Sequence, residues 1–181
     1  MMLLEDGVIR IRPLEPEDVE FMWEVESDST QWIENSMLAP YSKEKVREYA
    51  LSYNADPFSS GQLRLIVDSI ENQNVRSIGI IDLYDISAQH RRAFIGIYII
   101  KSCRNNGYGR RAVSLIETYS YKLLNLFQLG AKVSEHNSAS IQLFRSSGYT
   151  FRGCIPDWLI SGNEMYGMCL YTKKLGKFIN N

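Results

Sequence analysis

Six residues carry the clearest chemistry in this chain: Arg104-Asn105-Asn106-Gly107-Tyr108-Gly109, followed by Arg110 and Arg111. Glycines without a Cβ let a ligand approach the backbone closely. The first amides of a helix lack intrahelical partners and point outward with partial positive charge. Guanidinium groups beside them add full charges. The combination suits a phosphate or pyrophosphate. A second group lies downstream at Asn137, Ser140, Phe144 and Tyr149. Other titratable or nucleophilic side chains are scattered. His90 and His136 are candidate bases, Asp82, Asp85 and Glu135 are candidate relays through water, and Cys103 abuts the glycines with no base placed beside it. Without its surroundings, a single G-x-G is equally an ordinary turn.

The surroundings narrow the choice. The run AFIGIYII, from Ala93 to Ile100, reads as a buried strand entering the glycine turn. After the turn, Ala112, Val113, Leu115, Ile116, Tyr119, Leu123 and Leu126 recur at helical spacing. There is no P-loop pattern and no dinucleotide-binding third glycine. R-x-x-G-x-G between an apolar strand and a long helix resembles the acyl-CoA pyrophosphate loop of the GNAT superfamily of N-acetyltransferases. The segment from Asn137 to Tyr149 resembles that family's second signature, with Asn137, Ser140, Leu143, Phe144, Gly148 and Tyr149 in the matching places. Within the family, HRRAFIGIYI and LNLFQLGAKVSEHN are similar to bacterial spermidine N-acetyltransferases. RPLEPEDVE is similar to the ribosomal-protein N-terminal acetyltransferases.

The resemblance implies direct acetyl transfer from acetyl-CoA, as co-substrate, to an amine, with no metal. It implies that Tyr98, Ile99, Ile100 and Lys101 pair with the pantetheine arm. Arg104, Asn105, Asn106, Gly107, Tyr108, Gly109 and Arg110 would hold the pyrophosphate, with a Cβ at either glycine crowding it. Asn137 would bond the arm or cap the helix that follows it, and both can hold. The matching position in many members is a tyrosine acid for the leaving sulfur, where this chain has Phe144. Ser140, Ser147 and Tyr149 are the candidate hydroxyls to stand in for it. Glu26, Asp28 and Glu34 lie where the family borders its acceptor site. They belong to a run of eight carboxylates between Arg12 and Lys43 without a Lys or Arg. That run is either a solvated helix face or a field for a cationic, polyamine-like acceptor. The alternatives are a protein N-terminus as acceptor, or a non-catalytic acyl-CoA sensor.

Several elements must position these residues. The apolar patterns predict strand, helix, helix, three strands, helix, strand, helix and two strands. Periodicity alone gives an α+β mixed sheet with helices. The resemblance makes it the GNAT fold, about seven strands flanked by about four helices. One domain over 1–175 is expected, with a polar tail at 176–181. Of 181 residues, 45% are hydrophobic and 23% charged, and the net charge of −1 argues against nucleic acid as a partner. No run is long enough to span a membrane, and no signal peptide is visible. Cys103, Cys154 and Cys169 suggest neither a disulfide framework nor a zinc site, and fit a reducing cytoplasm. The acceptor's identity and a homo-oligomeric state are left open.

Overall fold

The computed structural model describes residues 4–28, 41–54, 56–71 and 74–176. Glu34 and residues 177–181 of the tail lie outside the described residues. In chain order the elements are β1 (Ile9–Pro13), α1 (Val19–Glu26), α2 (Lys43–Ser52), α3 (Pro57–Ser60), β2 (Gln62–Glu71), β3 (Asn74–Ser87) and β4 (Arg92–Ile99). Then follow α4 (Tyr108–Lys122), β5 (Gln128–Ser134), α5 (Ser138–Ser146), β6 (Thr150–Ser161) and β7 (Glu164–Lys174).

Turn and cap chemistry explains most boundaries. Ser42 caps α2 by accepting from the Lys45 amide at 3.2 Å. Asp56 does not merely end that region. It caps the one-turn α3, with Pro57 at its first position and Gly61 left-handed after it. Helix α4 stops before Leu123, which is 59% exposed, so the apolar pattern overran the helix.

The seven strands form one sheet in the order β1-β2-β3-β4-β5-β7-β6. Every neighbouring pair is antiparallel except β4 and β5. Both faces of the sheet are covered over part of their extent, which is why β2 is buried continuously from Leu65 to Ser69. Ala112, Val113 and Ile116 of α4 and Phe144 of α5 pack with Leu65, Val67, Ile81, Leu83 and Ile95. On the opposite face Met22, Val25, Val46 and Ala50 pack with Ile66 and Ile80. Each larger side chain in these layers contributes roughly 1.5–3 kcal/mol by burial.

Two features were not legible in the sequence. Asp68, fully buried on β2, accepts from Arg10 Nε at 2.9 Å, Arg12 Nε at 2.8 Å and Ser77 Oγ at 2.9 Å. Arg12 continues to Asp18 at the start of α1. Cys154 and Cys169 face each other across β6 and β7 and form a disulfide, where the cysteine spacing suggested no disulfide framework. Fifteen residues separate them in the chain, and only strand register makes them neighbours. Cys103 is free and buried. Among the described residues, no helix is long and apolar enough to cross a membrane.

Candidate functional site

Strands β4 and β5 pair only at Arg92–Gln128, Ala93–Leu129 and Phe94–Gly130, and then part. Gly130 ends the contact, and an added Cβ there would lie 2.7 Å from the Phe94 ring. Beyond this vertex β4 has a free edge. The Ile100 amide bonds the Ile78 carbonyl at 2.9 Å, on the β3 side. Strand groups alternate, so Gly96 and Tyr98 also face β3, whereas Ile97 and Ile99 turn their N–H and C=O toward the gap. Of the four residues expected to present backbone here, Tyr98 therefore turns its own to β3, and Ile100 gives its amide to β3 and its carbonyl to the Cys103 amide at 2.9 Å. The Ile99 carbonyl accepts from Arg104 Nε at 2.8 Å. Lys101 opens a short 3-10 turn to Cys103 and stands 3.5 Å from Asp28. Ile97, missed in the sequence, joins Ile99 on the free edge.

The glycine loop follows directly. Asn105 and Gly107 are both left-handed, with φ of 64° and 79°, and Gly107 is the N-cap of α4. The Arg111 amide is the first to bond back, to the Gly107 carbonyl at 3.1 Å. The amides of Tyr108, Gly109 and Arg110 precede it and lack helical partners, so this end can receive an anion. A Cβ on Gly107 would meet nothing within 4 Å, so φ is what its side of the loop requires. Gly109 differs from expectation: its missing Cβ faces Leu143 of α5 at 3.5 Å, inside the protein. Arg104, Asn105, Asn106 and Arg110 are exposed around the loop, while Arg111 pairs with Asp6 at 2.8 Å and Tyr108 donates to Glu71 at 2.9 Å.

The gap opens into a cleft of about 880 Å³. One wall is the face of α5 carrying Asn137, Ser140 and Phe144. Asn137 caps α5 by accepting from the Ser140 amide at 2.9 Å, and it also lines the cleft. The floor is a stretch of the sheet from β2, β3 and β4. Register places Arg64 beside Asp82, Asp82 beside Gly96, and in the next row Gln62, Tyr84 and Phe94 side by side. Lys132 stands across the gap with its Nζ 4.3 Å from the Phe94 ring centre. Glu26 and Tyr49 enter from α1 and α2, and Trp158 from β6.

The electrostatics of that floor centre on Arg64. Its Nε and Nη2 donate to the two oxygens of Asp82, both at 2.9 Å, and its Nη1 donates to Glu26 at 3.0 Å. Burial alone would lower the Arg64 pKa, but Asp82 raises it, so the guanidinium stays charged. Its backbone N–H donates to the Tyr53 hydroxyl. Burial pushes the Tyr49 and Tyr84 hydroxyls up to about 12, so both remain neutral donors at ordinary pH. The Tyr49 oxygen is buried without a hydrogen-bond partner beside this group.

Other expected residues fall elsewhere. Phe144 and Ser140 line the cleft, but Tyr149 lies behind Phe144, its ring held toward Glu117 and Lys173. The Ser147 oxygen is buried in the same back region. Asp28 accepts from the Tyr98 hydroxyl at 3.1 Å. His90 sits exposed in the β3–β4 turn, and His136, also exposed, packs its ring 4.6 Å from Tyr166. Asp85 pairs with Arg92 at 3.3 Å, and Glu135 accepts from the Gly167 amide at 2.5 Å. Cys103 is buried, with Arg76 Nη2 2.8 Å from its sulfur. Of all the base and relay candidates, only Asp82 faces the cleft. Arg64, Tyr49, Tyr84, Gly96 and Trp158 carried no local signal, because each becomes part of the site only through the register and packing of distant elements.

Residues 9–150 match the acetyltransferase (GNAT) domain model. The chain is 25% identical over 169 residues to spermidine N(1)-acetyltransferase of Escherichia coli (strain K12), covering 90% of this chain and 86% of that protein. The crystal structure of spermidine N-acetyltransferase from Vibrio cholerae in complex with CoA and spermine superposes with a TM-score of 0.80 at 21% identity, over 97% of this chain and 100% of that one. The structure of RimL, a ribosomal-protein alpha-N-acetyltransferase, in complex with coenzyme A gives 0.81 at 14% identity, over 93% and 95%. At those identities the two structural likenesses establish the fold alone.

Proposed function

The chain belongs to the GNAT acetyltransferase domain family and is an acetyl-CoA-dependent N-acetyltransferase, and from that premise we propose that its acceptor is a small, cationic, polyamine-like amine. The observation that carries this is the position of Glu26 and Asp82. Both carboxylates lie in the cleft, and Asp82 is in register with Gly96, next to the free edge of β4. Gly96 has no side chain to fill the space beside the carboxylate. The rings of Tyr49, Tyr84 and Trp158 face the same cleft and can receive a cation. Curated relatives matched over 90% and 95% of this chain are spermidine N(1)-acetyltransferases.

In this reading the α4 amides, with Arg104, Asn105, Asn106 and Arg110, hold the pyrophosphate. The free edge at Ile97 and Ile99 pairs with the pantetheine arm, and Asn137 adds a polar group from α5. A neutral amine then attacks the thioester carbonyl, the C–N bond forms as the C–S bond breaks, the nitrogen gives up one proton to water, and the thiolate leaves. Little acid–base chemistry is required of the protein, and positioning supplies most of the rate. Phe144 occupies the leaving-group wall without a hydroxyl. Ser140, on the same face of α5 and one turn earlier, is the nearest side-chain alternative.

A second reading, acetylation of a protein N-terminus, draws on the open flank of the cleft. Trp158 is 60% exposed there, leaving room for a longer acceptor. A homo-oligomer would cover part of the apolar edge strand β6, where Phe151, Ile155 and Ile160 are also exposed. An acetyl-CoA consumption assay across polyamines, aminoglycosides and N-terminal peptides separates the acceptors. Turnover with small amines is expected, and turnover with peptides alone would replace this reading with the second.

A further inference from the structure

We propose that Lys132 is a site of self-acetylation: without an acceptor present, its amine takes the acetyl group of the acetyl-CoA bound by the same chain. The proposal rests on the reading that the acyl group is delivered at the gap between β4 and β5. It is independent of which amine is the natural acceptor.

Lys132 is a primary amine already inside the cleft of an N-acetyltransferase. It stands on β5, two residues past Gly130, where contact with β4 ends. The same register carried on sets it opposite Gly96, across the gap. Its side chain is exposed to the cleft, with Nζ 4.3 Å from the centre of the Phe94 ring and 5.8 Å from that of Tyr84. Among the described residues, these rings are its partners, and no carboxylate pairs with it. A ring contact is a weak restraint at an exposed site, and the four-carbon stem is flexible. The amine is therefore able to leave the rings for the gap, and Gly96 has no side chain to bar the way.

The other described lysines are held differently or lie elsewhere. Lys45 also lines the cleft, but it comes from α2 and pairs with Glu48 at 2.5 Å. Lys43 pairs with Glu20, Lys101 stands 3.5 Å from Asp28, and Lys173 bonds Glu117 at 2.6 Å. Lys122 and Lys174 are exposed outside the cleft.

The step is the transfer this family performs, with the protein's own amine as acceptor. The neutral Nζ attacks the thioester carbonyl carbon and the C–N bond forms. The C–S bond breaks, the nitrogen gives up one proton to water, and CoA leaves as the thiolate. The product is a stable amide, so it is a modified protein and not an intermediate on the way to another acceptor. A cation of the cleft becomes a neutral acetamide. Holding amine and thioester in one cleft makes the step unimolecular, which is the source of its selectivity over surface lysines.

The test incubates the purified protein with acetyl-CoA and no acceptor, and follows intact mass and acetylated peptides. Wild-type protein should come to carry one acetyl group per chain on Lys132, gained at least about tenfold faster than on Lys122 or Lys174. The rate per chain should not change with protein concentration, and excess CoA should suppress it. Lys132→Arg should lose the fast uptake, and a variant that keeps it would place the reactive amine elsewhere and overturn the assignment. Equal rates at Lys132, Lys122 and Lys174, labelling that excess CoA leaves unchanged, or a rate that climbs with protein concentration overturns the proposal too. Protein that binds CoA by calorimetry yet leaves Lys132 unmodified also overturns it, with the acetyl-CoA site intact. Protein that binds no CoA removes the reading of the site and the proposal with it.

Discussion

The ring of Phe144 meets the ring of Tyr149 edge to face, with centroids 5.1 Å apart, and of the two only Phe144 reaches the cleft. Burial, and then the neighbouring Glu117, raise the Tyr149 pKa, so its hydroxyl stays protonated on the far side of Phe144. The α5 wall of the cleft thus presents an aromatic ring at this position, with the Tyr149 hydroxyl behind it.

From this pair follows the first prediction. A positioned acid contributes roughly 10²–10⁴-fold, and a thiol with a pKa near ~8.5 leaves without one at a lower rate. Phe144→Tyr should raise kcat more than it alters KM for acetyl-CoA. Tyr149→Phe should leave kcat near the parent value and change stability by about 1 kcal/mol. Steady-state kinetics on the two variants checks both. A large loss of kcat in Tyr149→Phe would place its hydroxyl in the chemistry after all.

The two loop glycines should respond differently. Gly107 needs its φ of 79°, and alanine there costs about 1 kcal/mol and distorts the N-cap of α4. Gly109→Ala places its Cβ at ordinary contact distance from Leu143. Calorimetric titration with CoA should show weakened binding for Gly107→Ala and nearly unchanged binding for Gly109→Ala. Gly109→Val, which pushes further into Leu143, should weaken binding by displacing α5 from α4. Equal losses for the two alanine variants would contradict this division.

At the vertex of the gap, Gly130 lies under the Phe94 ring, with the Cβ position 2.7 Å from one ring atom and 2.9 Å from another. Gly130→Ala must tilt that ring or separate β4 from β5, at a cost of about 1–3 kcal/mol. Thermal melting should show the loss. The double variant Gly130→Ala with Phe94→Leu should recover part of it, and failure to recover would mean that the strain lies in the backbone.

The Asp68 network predicts an acid limb of stability. Burial would raise the Asp68 pKa, but bonds from Arg12, Arg10 and Ser77 outweigh it and hold the carboxyl below its ordinary value. A folded pKa below the unfolded one contributes stability that is complete above about pH 5 and is lost as pH falls through the folded value. Asp68→Asn should therefore cost about 3 kcal/mol at neutral pH. The gap between wild type and variant should narrow below about pH 4, near the unfolded carboxyl pKa. Melting curves from pH 7 to pH 2 test the sign, and a gap that widens on acidification would exclude it.

The sequence by itself determined what local chemistry determines. The buried strand, the glycine turn and the helix after it are contiguous, so spacing and turn preference predicted the strand, turn and helix that the structure shows. The Asn137–Tyr149 signature is likewise contiguous, and in the structure Asn137, Ser140 and Phe144 all line the cleft. The order of elements followed from periodicity, apart from the one-turn helix after Asp56. Tertiary structure decided the charged floor of the cleft. Arg64 and Asp82 become neighbours through the pairing of β2 with β3, and Glu26 arrives from α1, 38 residues earlier in the chain. Strand register, a property of two segments together, also turned Ile97 rather than Tyr98 to the free edge and set Cys154 opposite Cys169. The acidic run shows the difference most directly. Composition counted the charges of Glu26 and Asp28, whereas packing supplied Arg64, Tyr98 and Lys101 as their partners. An electrostatic field depends on which charges are compensated, and compensation is settled by distances that no single stretch of sequence contains.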